Sequence, residues 1–192
     1  MRTKLMMAVL FVTACFTMMS CGGGKKQAQT TEEVAAMSID EVMEKAADLV
    51  EQTVVIEGVC THTCSHGAKK MFLVGSDDSK TLRIEAGELG AFDTKVVNNV
   101  VTVKGIIKEE RIDEAYLQDW EARLKTQTEE KHGDGDGEGG CDTEKNARGE
   151  TANTEEGRIA DFRAKIAAEK EATGKEYLSF YHVVADSYEI KD

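Results

Sequence analysis

Apolar residues along the chain recur with two different periods. A period of about two, with many β-branched residues, is typical of strands whose side chains alternate between two faces of a sheet. This period marks five segments, at residues 54–59, 71–74, 81–85, 100–107 and 177–188. The pattern therefore predicts a five-stranded sheet whose first three strands form a meander.

Three other segments repeat apolar residues at the helical period of about 3.6. The first follows Ser38 and Glu41, whose spacing is typical of a capping box, and should end near Glu51. The second begins at residues 113–114, and the third runs from a possible capping box at residues 153–156 to a stop at residues 173–174. Their apolar stripes contain Tyr116, Leu117, Trp120 and Leu124 in the second helix and Ile159, Phe162 and Ile166 in the third. We expect these two helices to pair, and Trp120 to serve in packing. A weaker helical signal covers residues 88–97.

The order of these elements predicts an α+β fold. Gly58 and Gly105 interrupt the first and fourth strands, the third and fourth are joined by a short helical connection, and the chain has no proline. Residues 53–110 and 177–190 resemble the OB-fold, a small closed Greek-key barrel of five strands. The predicted domain adds an N-terminal helix, and its departure from the family is a long helical insertion, at about residues 112–175, between strands four and five. The resemblance implies ligand binding by strands two and three and by the loops after strands one and four.

The first twenty residues are typical of a secretory signal. Arg2 and Lys4 precede an apolar run that is too short to cross a bilayer. Residues 17–21 resemble the signal of bacterial membrane lipoproteins, a family in which a cysteine after a small residue becomes the lipidated first residue. The resemblance assigns that role to Cys21. Lipidation at Cys15 and a secretory signal without lipid are the alternatives, and cleavage before Cys15 would shorten the apolar run to about the minimum.

This interpretation divides the chain into a signal at residues 1–20, a flexible tether at 21–37 and an OB-fold-like domain at 38–192. It places the domain in the bacterial cell envelope, held to the membrane by lipid and facing the periplasm or the cell surface. The formal net charge of −12 disfavours a nucleic-acid partner, because it repels phosphate backbones. The partner expected for such a domain is an envelope protein or a glycan.

Reactive side chains concentrate at residues 60–66, which the OB-fold order places in the loop after strand one. In a straight strand, the alternation of side chains places Cys60, His62, Cys64 and His66 on one face. Thiolate and imidazole groups suit zinc or copper. Four residues at this spacing span about 20 Å, so one ion can be held by only two or three neighbours. A disulfide between Cys60 and Cys64 and a pair of unbridged thiols are the alternatives.

Residues 126–152 lose all apolar periodicity and are rich in glycine and acids. Their acidic repeat imitates a calcium-binding loop, but Lys145 occupies the position that requires a bidentate glutamate. We expect a solvated, mobile loop. Its Cys141 is the third thiol of the mature chain, and the OB-fold order would let it approach Cys60 and Cys64.

Two functional hypotheses follow from the sequence. The first is a lipid-anchored binding module that uses the cysteine and histidine run for metal or thiol chemistry. The second is a non-enzymatic interaction domain that docks an envelope protein or a glycan. An enzyme is disfavoured because no nucleophile with a base, phosphate loop or carboxylate pair has a recognisable spacing. His182 is expected to be a packed histidine.

Overall fold

The alternating segments form the strands of a barrel in the computed structural model, which describes residues 35–65, 67–76, 80–129 and 142–191. The strands are β1 (Met37–Ser38), β2 (Thr53–Thr63), β3 (Lys70–Val74), β4 (Thr81–Glu85), β5 (Val100–Asp113) and β6 (Tyr177–Ile190). The helices are α1 (Ile39–Lys45), α2 (Glu114–Glu129), α3 (Asp142–Ala147) and α4 (Glu155–Thr173). Short 3₁₀ turns span Ala46–Leu49, Gly87–Leu89 and Thr94–Val96.

Strand pairing closes the barrel. β2 pairs with both β3 and β5, β3 pairs with β4, and β6 joins β4 to β5. The β4–β6 pair is parallel, the other barrel pairs are antiparallel, and β1 adds a parallel edge to β2. Five strands in the described part of the chain thus form a closed mixed barrel, and the predicted α+β, OB-fold-like class is confirmed.

The barrel interior is filled by every second residue of each strand, as the alternation predicts. Its fully buried members come from all five barrel strands and include Ile56, Cys60, Met71, Leu73, Leu82, Ile84, Val101, Val103, Ile107 and Val183. The N-terminal helix adds Ile39 and Val42 to this core. At Gly58, a Cβ atom would lie 2.7 Å from Ile39 Cγ1, so α1 packs closely here because the residue is glycine.

A second apolar cluster lies on the β5–β6 ladder, beyond the barrel. These two strands pair from residues 101 and 190 to residues 113 and 177, with a register shift between Lys104 and Gly105. A Cβ atom at Gly105 would overlap the backbone carbonyl of Val184, so the strands approach here only with glycine. Helices α2 and α4 cover the ladder and bury Ile112, Leu117, Ile159 and Phe162. The predicted pairing of the two helices is confirmed.

The helix boundaries differ from the prediction in three places. The Ser38–Glu41 capping box is confirmed, but α1 ends at Lys45 and continues only as the 3₁₀ turn to Leu49. The cap of α4 is Thr154, whose Oγ1 accepts from the N–H of Gly157, so the cap predicted at Asn153 is wrong. Residues 88–97 form two 3₁₀ turns instead of one helix.

The prediction of a loop over residues 126–152 is also wrong in part. Helix α2 extends to Glu129, and α3 occupies Asp142–Ala147. Both departures lie where apolar residues are sparse, and helix prediction depends on their period. No helix in the described ranges is both long enough and apolar enough to span a bilayer.

The second cluster leads to a stability prediction. Replacing the fully buried Leu117 with alanine should lower the free energy of unfolding by about 2–5 kcal/mol, because it leaves a cavity between α2 and the ladder. The control is Leu89→Ala in a turn, where the side chain is 38% exposed and the loss should be much smaller. Urea unfolding measures the free energy of unfolding of both variants. Equal losses would show that the packing of α2 on the ladder adds no more to this free energy than an exposed side chain does.

Candidate functional site

The cysteine and histidine run begins inside strand β2, not in the loop after it. The register of β2 against β3 shifts between Cys60 and His62, so that Cys60 lies opposite Leu73 and His62 lies opposite Phe72. Leu73 and Phe72 are adjacent and point to opposite faces of β3. A β-bulge at Thr61 therefore separates Cys60 from His62, and the prediction that these two share one face is wrong.

Cys60 points into the barrel. Its side chain has no exposed surface, and its Sγ donates to the carbonyl of His62 at 3.5 Å. Burial raises the pKa of the Cys60 thiol, which opposes the thiolate that a metal or a disulfide exchange requires. Cys60 is thus a small apolar core residue in this structure.

His62 lies on the outer face of the sheet, where its ring packs against Phe72 at 5.9 Å between centroids. Its Nε2 is buried without a hydrogen-bond partner among the described residues. Cys64, at the start of the loop, is half-buried. Cys60 and Cys64 are not joined by a disulfide.

The other cysteines and histidines of the prediction cannot be placed. His66, Cys141 and the predicted lipid site Cys21 lie outside the described residues, as does the alternative Cys15. Within the described ranges, no three His, Cys, Asp or Glu side chains lie close enough to hold a metal ion. For zinc or copper, Cys60 does not fit because it is enclosed in the core. His62, Cys64 and His66 are the predicted ligands that remain.

The bulge places His62 at the end of a row of side chains that crosses the sheet. His62 pairs with Phe72 in β3, Phe72 pairs with Arg83 in β4, and Arg83 pairs with His182 in β6. We call these four residues the outer row. Strands β3 and β4 correspond to strands two and three of the OB-fold, so the outer row crosses the face on which OB-folds bind ligands.

Helix α3 lies against β4 and brings a carboxylate to this row. Three cations converge on Glu144, and we call them the cation cradle: Lys70 Nζ at 3.0 Å from Oε2, Arg83 Nη1 at 2.6 Å from Oε1 and Arg148 Nη2 at 3.2 Å from Oε1. Glu110 of β5 bonds to Arg83 Nη2 at 2.8 Å and to Arg148 Nη2 at 2.7 Å. Glu144 is the one described carboxylate that contacts all three cations.

The charges of this cluster are buried and balanced. Arg83 is only 9% exposed, and Glu144 is also buried. Burial alone would raise the pKa of Glu144, but the charges of Arg83, Lys70 and Arg148 outweigh it and hold the pKa below its ordinary value of 4.5. The pKa of Glu110 is lowered in the same way, against its burial, by Arg148 and Arg83. Both carboxylates are therefore ionised at neutral pH.

His182 closes the outer row at β6. Its Nε2 lies 3.7 Å from Glu85 Oε2, and its side chain is nearly buried, as predicted for a packed histidine. Burial lowers the pKa of His182, and the neighbouring charge of Arg83 lowers it further. The imidazole is therefore neutral at pH 7 and adds no fourth cation to the cluster.

Two cavities open near these elements. One of about 370 Å³ borders the cation cradle and is lined by Lys69, Lys70, Glu85, Ala86, Gly87 and Gly90. A wider groove of about 590 Å³ runs between α4 and the start of β6. In that groove Lys165 already donates to the carbonyl of Gly149 and Ser179 to Glu109. The cavity at the cradle adjoins Lys70, one of the three cations that converge on the buried Glu144.

The sequence interpretation did not identify the cation cradle. Arg83 and Glu144 are 61 residues apart, and no short motif joins them. The available signal was local: Glu144 and Arg148 are four residues apart and can pair on one helical turn. This spacing of opposite charges could have predicted a helix at α3, although the segment has no periodic apolar residues.

Comparisons with known proteins do not assign a family. No protein-family model and no curated protein match the chain. A solved structure named as an aspartyl-tRNA synthetase from Leishmania major Friedlin aligns with 46% of this chain at 20% identity and a TM-score of 0.29. The match covers 18% of that protein, less than a fifth of its length, and supports no statement about function.

The different positions of the two thiols lead to a prediction. In the folded protein, iodoacetamide should modify Cys64, which is half-buried, while Cys60 should react only when the barrel opens. Peptide mapping by mass spectrometry measures each site, and the same reaction in urea is the control in which both should react. Equal rates at the two sites in the folded protein would contradict the position of Cys60 in the core.

Proposed function

We propose that the chain is a membrane-tethered interaction module of the bacterial envelope, which binds a protein partner on the outer face of β3 and β4. The observation that carries this proposal is the cation cradle, which lies on the ligand face of an OB-like barrel and borders an open cavity. Buried charges at a binding face select a partner by charge complementarity.

The character of this face favours a protein over a nucleic acid. Binding of single strands uses exposed aromatic rings as stacking platforms along a basic groove. Phe72, the aromatic residue of the outer row, has no exposed surface. The three cations of the cradle are too few to follow a phosphate backbone, and the net charge of the chain is −12.

The tether is the second part of the proposal. Its support is the sequence of the first 21 residues, which resembles a lipoprotein signal ending at Cys21. A lipid on Cys21 would hold the barrel within reach of envelope proteins, and residues 22–36 would supply the spacer. The predicted tether loses residue 37, because Met37 pairs with Ile56 in β1. Confinement near a membrane raises the effective concentration of partners that share it.

A metal or thiol module is the alternative, favoured by the buried Nε2 of His62 and its closeness in sequence to Cys64. Neutral imidazole and thiolate are ligands of zinc and copper. With His66, these two side chains would hold the ion, and the ion would brace the loop before β3. The alkylation experiment above also tests this alternative, because added zinc or copper bound through Cys64 should protect that thiol.

The binding face can be tested in cells with a photo-crosslinking amino acid. Lys69 is exposed and lines the cavity beside the cradle, so a crosslinker at this position should capture one defined envelope protein. The control position is Lys104, an exposed lysine on β5, where that product should be absent. Gel mobility and mass spectrometry identify the product.

No product at Lys69, or the same product at both positions, would contradict binding at this face.

The tether is tested in the same cells by fractionation. The Cys21→Ala variant should leave the membrane fraction, whereas Cys15→Ala should remain in it. Retention of the Cys21→Ala variant would contradict the assigned anchor.

A further inference from the structure

We infer that the cation cradle is a carboxylate-binding site for an acidic segment of a protein partner, and that Glu144 occupies this site from within the chain. The inference rests on the proposed function, because it names the chemistry that the outer face recognises. In this inference the Glu144 carboxylate of α3 fills the cradle in the free protein, and a carboxylate of the partner replaces it in the complex.

The first observation is the way in which α3 is attached. None of its six residues belongs to either apolar cluster, and Glu144 is its one buried side chain. Ion pairs with Lys70 and Arg83 hold Glu144 against β3 and β4. Arg148, which follows the helix, bonds to Glu110 and lies over the ring of Phe180. The side chain that fixes α3 itself is therefore a carboxylate bound by ion pairs, and a competing carboxylate can take its place.

The second observation is that the cradle suits carboxylates as a class. Arg83 and Arg148 present planar guanidinium groups, and Lys70 adds a third donor from the neighbouring strand. Arginine forks match the two oxygens of a carboxylate, and such charge-assisted bonds are stronger than neutral ones. Arg148 lies over the ring of Phe180 at 5.3 Å and bonds to Glu110, so contacts other than Glu144 also orient it.

The third observation is that the cradle keeps its frame when Glu144 leaves. Arg83 still bonds to Glu110 and lies 3.5 Å from Glu85, and Arg148 still bonds to Glu110. Lys70 is the cation that loses its one described partner, and it lies beside the open cavity of about 370 Å³. A carboxylate from a partner could therefore bind Lys70, Arg83 and Arg148, and the partner's chain could lie in the cavity beside Lys70.

The chain after α3 is anchored independently. Glu150 is buried and pairs with Arg158 of α4, and Arg158 also bonds to Glu155 at 2.8 Å. Release of Glu144 can therefore open the last turn of α3 at the Arg148 amide, while the Arg148 side chain stays on Glu110 and Phe180. Helix α4 and the second apolar cluster keep their contacts. The fold permits a local exchange of one carboxylate for another.

Competition binding tests this inference on the full chain purified in detergent. The probe is a fluorescein-labelled hexaglutamate peptide, and its affinity is read by fluorescence polarisation. Glu144→Ala should bind the peptide at least about tenfold more tightly than the unchanged chain, because an internal competitor at high effective concentration is removed. Adding Lys70→Ala to that variant should reverse the gain.

The matched control is Glu171→Ala, which removes one exposed glutamate from α4 and so makes the same change in net charge. It should bind the peptide like the unchanged chain. Equal affinity of the unchanged chain and both single variants, or no binding by Glu144→Ala at about 1 mM peptide, would overturn the inference. Circular dichroism confirms that each variant is folded.

The result separates the inference from the proposed function. If Glu144→Ala binds the peptide no more tightly than the unchanged chain while the Lys69 crosslinker still captures a protein, the partner binds through other contacts. That result refutes the inference that Glu144 fills a carboxylate site and leaves the proposed function standing. If the affinity rises but no crosslink forms in cells, the cradle binds carboxylates and the proposed cellular role is refuted.

Discussion

The burial of Arg83 is the constraint on which the outer face of the barrel depends. A guanidinium that is nine-tenths buried must be paired, because an uncompensated charge in the interior costs several kcal/mol. The barrel supplies Glu110 and Glu85, and the insertion supplies Glu144. The position of α3 follows from this requirement, since the helix has no apolar side chain in either cluster.

The long β5–β6 ladder makes this arrangement possible. Its first half closes the barrel, and its second half carries the second apolar cluster with α2 and α4. Glu110 and Phe180 are paired on this ladder, so the same strands that support the helices also orient Arg83 and Arg148. Apolar packing thus fixes the positions of the strands and helices, and charge pairing places α3 on the outer face of the barrel.

The parts of the fold that rest on periodic apolar residues were predictable from the sequence. The five strands, the capping box at Ser38 and a packing role for Trp120 follow from alternation and helical spacing. The partner of Trp120 is Phe162 in the second cluster, which helical spacing alone does not specify. The bulge at Thr61 did not follow, because no residue in the run signals a shift of register. One inserted residue moved His62 to the outer face and left Cys60 in the core. The cation cradle joins strands and a helix through tertiary contacts, which local patterns do not encode.

Hydrogen exchange at the end of α3 tests most directly whether the Glu144 carboxylate holds this helix on the barrel. The readouts are the amides of Arg148 and Glu150, which donate to the carbonyls of Glu144 and Lys145, with the amide of Ile107 in β5 as the internal reference. In Glu144→Ala the first two should exchange about tenfold faster or more, a factor equal to about 1.4 kcal/mol, while Ile107 and the Glu171→Ala control remain unchanged. Unchanged exchange at Arg148 and Glu150 in Glu144→Ala would show that other contacts hold α3 and would contradict the account.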